Sequence, residues 1–226
     1  VHDSLKHHLL AQRDVIMANA AAPDALPALV PDVIGEDTLW ACTTCGYCEA
    51  ACPIELEHLP KFYRMRQQRV LMEGAFPHEL KPVFEAYEAQ SNPWGFPSDT
   101  RGDWAQDLGV TRVETADEAK NLDYLFYVGS AASFDPRGQK IARAFAAIMQ
   151  QAGVRFGILG PAETSTGECV RRAGNEMLFQ QLANDLVAKL NGLGVIRIVT
   201  CDPHAFNTLT NEYPEFGGRW EVIHHT

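Results

Sequence analysis

Apolar positions recur at helical spacing through the first ninety residues of the chain. The segment Ser4–Met17 carries leucines and a valine on one side of a helical projection, which predicts an amphipathic helix. A connector rich in Pro and Ala is expected from Ala21 to Pro31. Two more helices are predicted over Leu59–Glu73 and Glu79–Gln90. The amino-terminal region is therefore expected to be helical.

The pattern changes after a stretch, residues 91–120, that is rich in turn formers and has no clear period. From there on, short continuous apolar runs alternate with helical segments. The predicted strands are Leu122–Val128, Val154–Leu159, Val195–Thr200 and Trp220–Ile223, and the predicted helices are Gly138–Ala152, Arg171–Leu190 and Ala205–Glu212. This order predicts an α + α/β chain, in which a helical domain precedes an α/β domain with a mostly parallel sheet.

Composition and charge narrow the possible partners. Hydrophobic residues make up 46% of the 226, and the formal net charge is -10. Such an acidic chain is a poor match for nucleic acid, whose phosphates bind clustered Lys and Arg. No run approaches the roughly 20 apolar residues that a membrane-spanning helix needs. Because the chain opens on Val1 instead of Met, we expect it to be a piece of a longer polypeptide.

Four of the six cysteines lie within eleven residues. They are Cys42, Cys45, Cys48 and Cys52, and Pro53 follows the last of them. The spacing C-x2-C-x2-C-x3-C-P is the bacterial ferredoxin run, in which thiolates bind a [4Fe-4S] cluster. The two-residue gaps allow a tight loop to wrap three thiolates around one cluster, and a glycine at position 46 lets the backbone approach it. The sequence therefore predicts an iron–sulfur site at these four cysteines.

Two alternatives concern this site. Zinc sites usually separate their two CxxC pairs by a longer loop, so four cysteines at this spacing favour a cluster over zinc. In two-cluster ferredoxins the fourth cysteine ligates the other cluster. Either a second run lies upstream of Val1, which we favour, or Cys52 closes the same cluster as the other three. One cluster is expected here, and two when the upstream run is present.

Several segments resemble the heterodisulfide-reductase-type iron–sulfur proteins, also called CCG-domain proteins. The segment Leu39–His58 is similar to the second cluster motif of that family. Similar motifs follow along most of the chain, at Asn92–Gly95, Arg171–Glu176, Phe206–Leu209, Asn211–Pro214 and His224–Thr226. The resemblance implies a helical [4Fe-4S] ferredoxin-like domain at 1–90, a linker at 91–120, and an α/β CCG-like domain at 121–226.

The resemblance also implies an assembly. Family members pass electrons between a soluble partner, such as an electron-transfer flavoprotein, a hydrogenase or a dehydrogenase, and quinone, with a membrane cytochrome b as subunit or fused domain. The chain would then be cytoplasmic, peripheral at the inner face of the membrane.

The cysteine pattern that gives the CCG domain its name is not kept here. Laid on this chain, its ligand positions fall on Ser130, Ser165, Thr166, Asp202 and Ala205. By the resemblance, this domain keeps its fold and has lost its metal site. The remaining cysteines, Cys169 and Cys201, stand near the vacated positions. A small iron–sulfur or zinc site built from these two cysteines with His204 or Asp202 is conceivable, but we favour buried or idle thiols, since free Cys is commonly a small core residue.

A basic stretch follows the cysteine run. Its members are Lys61, Arg64, Arg66 and Arg69 on the helix predicted after Cys52. Such a stretch could bind an acidic partner or a membrane surface. We expect a solvated helix face instead.

Three functional hypotheses remain open. The favoured one is an electron-transfer subunit of a membrane-associated oxidoreductase, with no catalytic residue of its own. The alternative is a catalytic, heterodisulfide-reductase-like subunit that acts on a disulfide or small organic substrate through a CCG cluster outside this segment. A third is a structural module in which the cluster only stabilises the fold.

Overall fold

The computed structural model describes residues 1–18 and 26–226. The predicted connector Ala21–Pro31 lies outside the described residues as far as residue 25. The chain divides into two units, Val1–His78 with Arg172–Glu176, and Glu79–Arg171 with Met177–Thr226. The domain limits 1–90, 91–120 and 121–226 given above remain a prediction.

The first unit is helical. Its α-helices are α1 (His2–Ala11), α2 (Arg13–Ala18), α3 (Glu36–Ala41), α4 (Tyr47–Ala50) and α5 (Leu59–Gln67), and π-type turns cover Leu29–Val33 and Gln68–Met72. Leu39 on α3 packs with Phe62 and Met65 on α5, and Val30 and Ile34 complete this core. The three-residue step from Phe62 to Met65 places both side chains on one helix face. This core holds the segment that carries the four clustered cysteines between α3 and α5.

The second unit contains a five-stranded parallel sheet in the order β1-β3-β2-β4-β5. The strands are β1 (Thr111–Arg112), β2 (Tyr124–Tyr127), β3 (Phe156–Ile158), β4 (Arg197–Thr200) and β5 (Glu221–His224). Strands β2 to β5 overlap the four strands predicted from apolar runs. The predicted α + α/β class with a parallel sheet is confirmed.

Helices connect and cover the strands. They are α6 (Leu80–Gln90), α7 (Ala116–Lys120), α8 (Ser130–Phe134), α9 (Pro136–Gln151), α10 (Glu168–Arg172), α11 (Glu176–Gly192) and α12 (Pro203–Asn207). Short 3-10 turns cover Ser98–Ala105, Gly160–Ala162 and Tyr213–Phe216, and a π-type turn covers Thr208–Glu212. Residues 91–120, which we predicted as a linker, thus contain strand β1, which pairs with β3.

The central strand β2 is buried on both faces. Leu125 and Tyr127 pack in the core that includes α11, whereas Phe126 packs in the core that includes α9. Successive side chains of a strand point to opposite faces, so a strand covered by helices on both sides is apolar throughout. This explains why the apolar run around β2 predicts a strand although apolar and polar residues do not alternate in it.

The predicted helix Arg171–Leu190 is wrong in its first turns. Helix α10 ends at Arg172 and α11 begins at Glu176. Between them Gly174 has φ +96°, and a Cβ there would lie 2.6 Å from the carbonyl carbon of Arg66. A helix cannot continue through a positive φ, and only glycine fits this close approach. Periodicity alone could not reveal the break.

Candidate functional site

The four clustered cysteines lie on one short segment of the first unit. Cys42 follows α3, Cys48 is in α4, and Cys52 lies just beyond α4. The loop between the helices bends through Gly46, whose φ is +78°. This positive φ favours glycine, as expected from the spacing. Cys45 and Cys48 are exposed, whereas Cys42 and Cys52 are partly buried.

Backbone N–H groups are directed at the sulfur atoms of this loop. Thr44 N donates to Cys42 Sγ, and Leu56 N donates to Cys52 Sγ, both over 3.4 Å. The N–H of Tyr47, together with the Thr43 side chain, lowers the pKa of the Cys45 thiol. Hydrogen bonds to a charged form stabilise it. The loop therefore favours the thiolate of Cys45, which is the form that binds metal.

Glu49 connects the loop to the helix behind it. Its Oε1 accepts a hydrogen bond of 2.6 Å from the N–H of Leu59, the first residue of α5. The first N–H groups of a helix have no partner within the helix, and a carboxylate is stabilised there by the helix dipole. Sequence reasoning missed this contact, because a carboxylate ten residues before a helix start is a signal of little specificity.

Arg66 lies behind the loop. Its Nη2 donates to the carbonyl oxygens of Leu39 and Cys42 over 2.7 and 2.6 Å, and its Nη1 donates to the carbonyl of Arg172 over 2.8 Å. The guanidinium also stands 5.2 Å from the ring centroid of Trp40. Burial lowers the pKa of Arg66, while nearby Cys42 and Tyr63 raise it. The side chain thus fixes the backbone on which Cys42 is carried.

The expectation of a solvated basic face is wrong for two of its members. Arg66 is only 5% exposed, and Arg69 is paired with Glu36 and Glu73. The reason is helical spacing, because Arg66 stands four residues after Phe62 and so shares its buried face. Arg64 is exposed, as predicted.

The chemistry of the donor set fits an iron–sulfur cluster. Among residues 1–18 and 26–226, no three His, Cys, Asp or Glu side chains converge as they would around a single metal ion. The four loop thiols are free. A cluster places iron and sulfide between its thiolates, so they need not converge on one point. A loop that offers only thiols, and that directs N–H groups at their sulfur atoms, is therefore suited to a cluster.

The positions onto which the CCG ligand pattern maps all follow strand ends in the second unit. Ser130 begins α8 after β2, and its Oγ accepts a hydrogen bond of 2.8 Å from Arg101. Ser165 and Thr166 are buried after β3. Asp202 follows β4, where its Oδ1 accepts from the N–H groups of His204 and Ala205. The structure gives each polar side chain among them a structural contact or a buried position.

Sequence reasoning missed a buried ion pair beside these positions. Arg101 Nε lies 3.3 Å from Glu163 Oε1, and the two side chains are 1% and 2% exposed. Glu163 also accepts from the N–H groups of Val128 and Gly129, each over 2.9 Å. Burial raises the pKa of the Glu163 carboxyl, and Arg101 with these N–H groups opposes the rise. The Glu163 carboxylate, paired with Arg101, thus holds the backbone at the carboxyl end of β2.

In the described part of the chain, neither Cys169 nor Cys201 belongs to a group of three or more His, Cys, Asp or Glu side chains close enough to hold a metal ion. Cys169 Sγ lies 3.2 Å from Glu168 Oε2, and the other oxygen of Glu168 lies 3.2 Å from His204 Nδ1. Desolvation and the Glu168 carboxylate raise the pKa of Cys169 to about 12. Desolvation and Asp202 raise the pKa of Cys201 to about 11. Both thiols therefore stay protonated near neutral pH.

The chain is similar to iron–sulfur oxidoreductases over most of its length. It is 46% identical over 211 residues to a Bacillus subtilis protein named probable iron-sulfur-binding oxidoreductase FadF. It is 38% identical over 212 residues to the EtfAB:quinone oxidoreductase of Syntrophomonas wolfei. Each alignment covers 92% of this chain and 30% of the relative. A probable membrane-anchored ferredoxin of Chromohalobacter salexigens is 37% identical, over 80% of this chain and 26% of that protein.

More distant similarity reaches the family that the motifs indicated. One component of the dihydromethanophenazine:CoB–CoM heterodisulfide reductase of Methanosarcina barkeri is 24% identical over 200 residues. That alignment covers 84% of this chain and 46% of the relative. The resemblance to heterodisulfide-reductase-type iron–sulfur proteins is confirmed. The chain spans less than half the length of each of these relatives.

Two further comparisons found nothing. No family model matches the chain, and no solved structure matches it. No helix in the described part of the chain is long and apolar enough to cross a membrane.

Proposed function

We propose that this chain is the electron-transfer part of an oxidoreductase and carries a [4Fe-4S] cluster. Cys42, Cys45 and Cys48 would bind the cluster, and Cys52 would bind either the same cluster or a second one. The observation that carries this proposal is the all-thiol loop whose N–H groups point at sulfur. The similarity to oxidoreductases named for iron–sulfur binding supports it.

A bound cluster supplies one-electron redox chemistry at its iron atoms. The residues of the chain hold and tune that site. N–H groups of Thr44 and Leu56 stabilise negative charge on sulfur, and Glu49 and Arg66 hold the loop against α5 and α3. Hydrogen bonds to sulfur and solvent exposure set the potential of such a site. Cys45 and Cys48 are exposed, so a cluster bound there would be within reach of a redox partner.

The α/β unit would serve as scaffold and docking surface without a cluster of its own. Its CCG ligand positions carry serine, threonine, aspartate and alanine, and thiolates are the ligands that iron–sulfur clusters require. This argues against the alternative, a heterodisulfide-reductase-like catalytic subunit, for the residues of this chain. Such catalysis would need a CCG cluster outside this segment.

The names of two relatives support redox partners for this chain. One is named for quinone and EtfAB, and another is named as membrane-anchored. We infer that this chain accepts electrons from a soluble partner, such as an electron-transfer flavoprotein, a hydrogenase or a dehydrogenase, and passes them to a membrane cytochrome b and quinone. It would then work peripherally, at the cytoplasmic face of the membrane.

The test is a reduction and reoxidation cycle of the full-length protein under anaerobic conditions. Dithionite should bleach its visible absorption, and a water-soluble quinone should restore it. Cys45→Ser should lose the share of this signal that belongs to the loop cluster, whereas Cys169→Ser, the matched control, should keep it. Equal bleaching and quinone reduction in Cys45→Ser and the wild type would contradict the proposal.

A further inference from the structure

Arg66 is a buried cation whose hydrogen bonds all go to neutral groups. The side chain is 5% exposed. Its three acceptors are the backbone carbonyls of Leu39, Cys42 and Arg172. Among the residues that the structure describes, no Asp or Glu is hydrogen-bonded to it or forms an ion pair with it. Its Nε is buried without a hydrogen-bond partner.

Arg69, one turn further along the chain, is neutralised in the usual way, by carboxylates. Its guanidinium forms ion pairs with Glu36 and with Glu73. The same region of the protein therefore supplies carboxylates to one arginine and none to the other. The contrast shows that Arg66 stands in a place where the protein leaves positive charge uncompensated.

A buried charge is costly unless it is paired. The carbonyl oxygens around Arg66 satisfy hydrogen bonds but bring no negative charge. One of them belongs to Cys42, a member of the thiol loop. A [4Fe-4S] cluster with four thiolates carries a net charge of about −2 when oxidised and about −3 when reduced, so it is the counter-charge that this position lacks.

We propose that Arg66 is a positioning residue of the cluster site, which holds the Cys42 backbone and serves as the counter-cation of the loaded cluster. The inference rests on the proposed function. Reduction adds one negative charge to the cluster, so a fixed cation nearby favours the reduced form. Arg66 thereby raises the reduction potential of this cluster relative to an uncharged residue in its place.

The first test compares Arg66→Met with Arg66→Lys, and Arg64→Met is the matched control on the exposed side of the same helix. Redox titration of the full-length protein, followed by electron paramagnetic resonance, gives the potential of the signal that Cys45→Ser removes. Arg66→Met should disfavour reduction about tenfold, a fall of about 59 mV for one electron. Arg66→Lys should shift the reduction potential by less than half as much, and Arg64→Met should leave the potential unchanged. Equal potentials in Arg66→Met and Arg64→Met overturn the inference.

The second test separates a charge role from a merely structural one. Thermal unfolding is measured for apoprotein and for cluster-loaded protein. Arg66→Met should lower the midpoint of the loaded form by more than that of the apoprotein, because both forms lose the hydrogen bonds to the three carbonyls and only the loaded form also loses its counter-charge. An equal fall in both forms overturns the inference. Wild-type protein without iron and sulfide would instead overturn the proposed function, and the inference with it.

Discussion

The Glu49 carboxylate accepts a hydrogen bond of 2.6 Å from the N–H of Leu59, and this contact joins the cysteine loop to the start of α5. Glu49 lies one residue after Cys48. Loss of the carboxylate would leave the helix start without this acceptor and would let the loop move. A hydrogen bond of this kind contributes about 1 kcal/mol.

Glu49→Ala should therefore release iron to a chelator several times faster than the wild type, while Glu49→Gln, which keeps an acceptor oxygen, should fall between them. The measurement is the rate of chelator colour development under anaerobic conditions. Glu55→Gln, an exposed carboxylate on the same segment, is the control. If Glu49→Ala and Glu55→Gln release iron at the same rate, the contact has no role in holding the loop.

Gly174 provides a second prediction. It has φ +96°, and a Cβ there would meet the backbone of Arg66 at 2.6 to 2.7 Å. Gly174→Ala should lower the free energy of unfolding by about 1–3 kcal/mol, because both the strained φ and the steric overlap act against it. Gly192→Ala is the control, since nothing lies within 4 Å of the position that its Cβ would take. A denaturation curve for Gly174→Ala that overlays the control would contradict the close approach.

The buried pair of Arg101 and Glu163 gives a third prediction. Removing one partner leaves the other charge buried and unpaired, which costs about 3–5 kcal/mol. Arg101→Met should therefore lose stability by that order in urea unfolding, and the double variant with Glu163→Gln should recover part of the loss. Additive losses in the double variant would show that the two groups do not interact.

Cys169 gives a prediction about pH. Its pKa is raised from the ordinary value of 9.0 to about 12 in the folded protein. Below pH 9 the thiol is protonated in both the folded and the unfolded state, so its contribution to stability is fully present. Between pH 9 and about 12 the unfolded state loses the proton first, and this contribution is lost as pH rises. Cys169→Ser should flatten the decline of stability over that window, and an unchanged slope would contradict the raised pKa.

The lowered pKa of Cys45 and the raised pKa of Cys169 predict the order in which these thiols are alkylated in the apoprotein. At pH 8, Cys45 should react with iodoacetamide at least about tenfold faster than Cys169, because only the thiolate is the nucleophile. Peptide mass spectrometry of samples taken during the reaction measures both rates. Faster modification of Cys169 than of Cys45 would contradict the pKa directions found for the two sites.

The cysteine loop and the parallel sheet could be predicted because both depend on local pattern. The spacing of the cysteines determines the loop, and the apolar runs of β2, β3 and β4 identify strands buried between helices. What was missed depends on contacts distant in sequence. Arg66 meets Arg172 across 106 positions, and Arg101 meets Glu163 across 62. A basic residue on a predicted helix gives no indication of which neighbours the fold will bring to it.

The central claim is that the four thiols hold inorganic iron and sulfide. The most direct measurement is iron, zinc and acid-labile sulfide per chain in the anaerobically purified full-length protein, compared with Cys45→Ser. We predict that the variant loses about four iron and about four sulfide per chain, as expected for one [4Fe-4S] cluster. Zinc in place of iron, or equal iron and sulfide in both proteins, would contradict it.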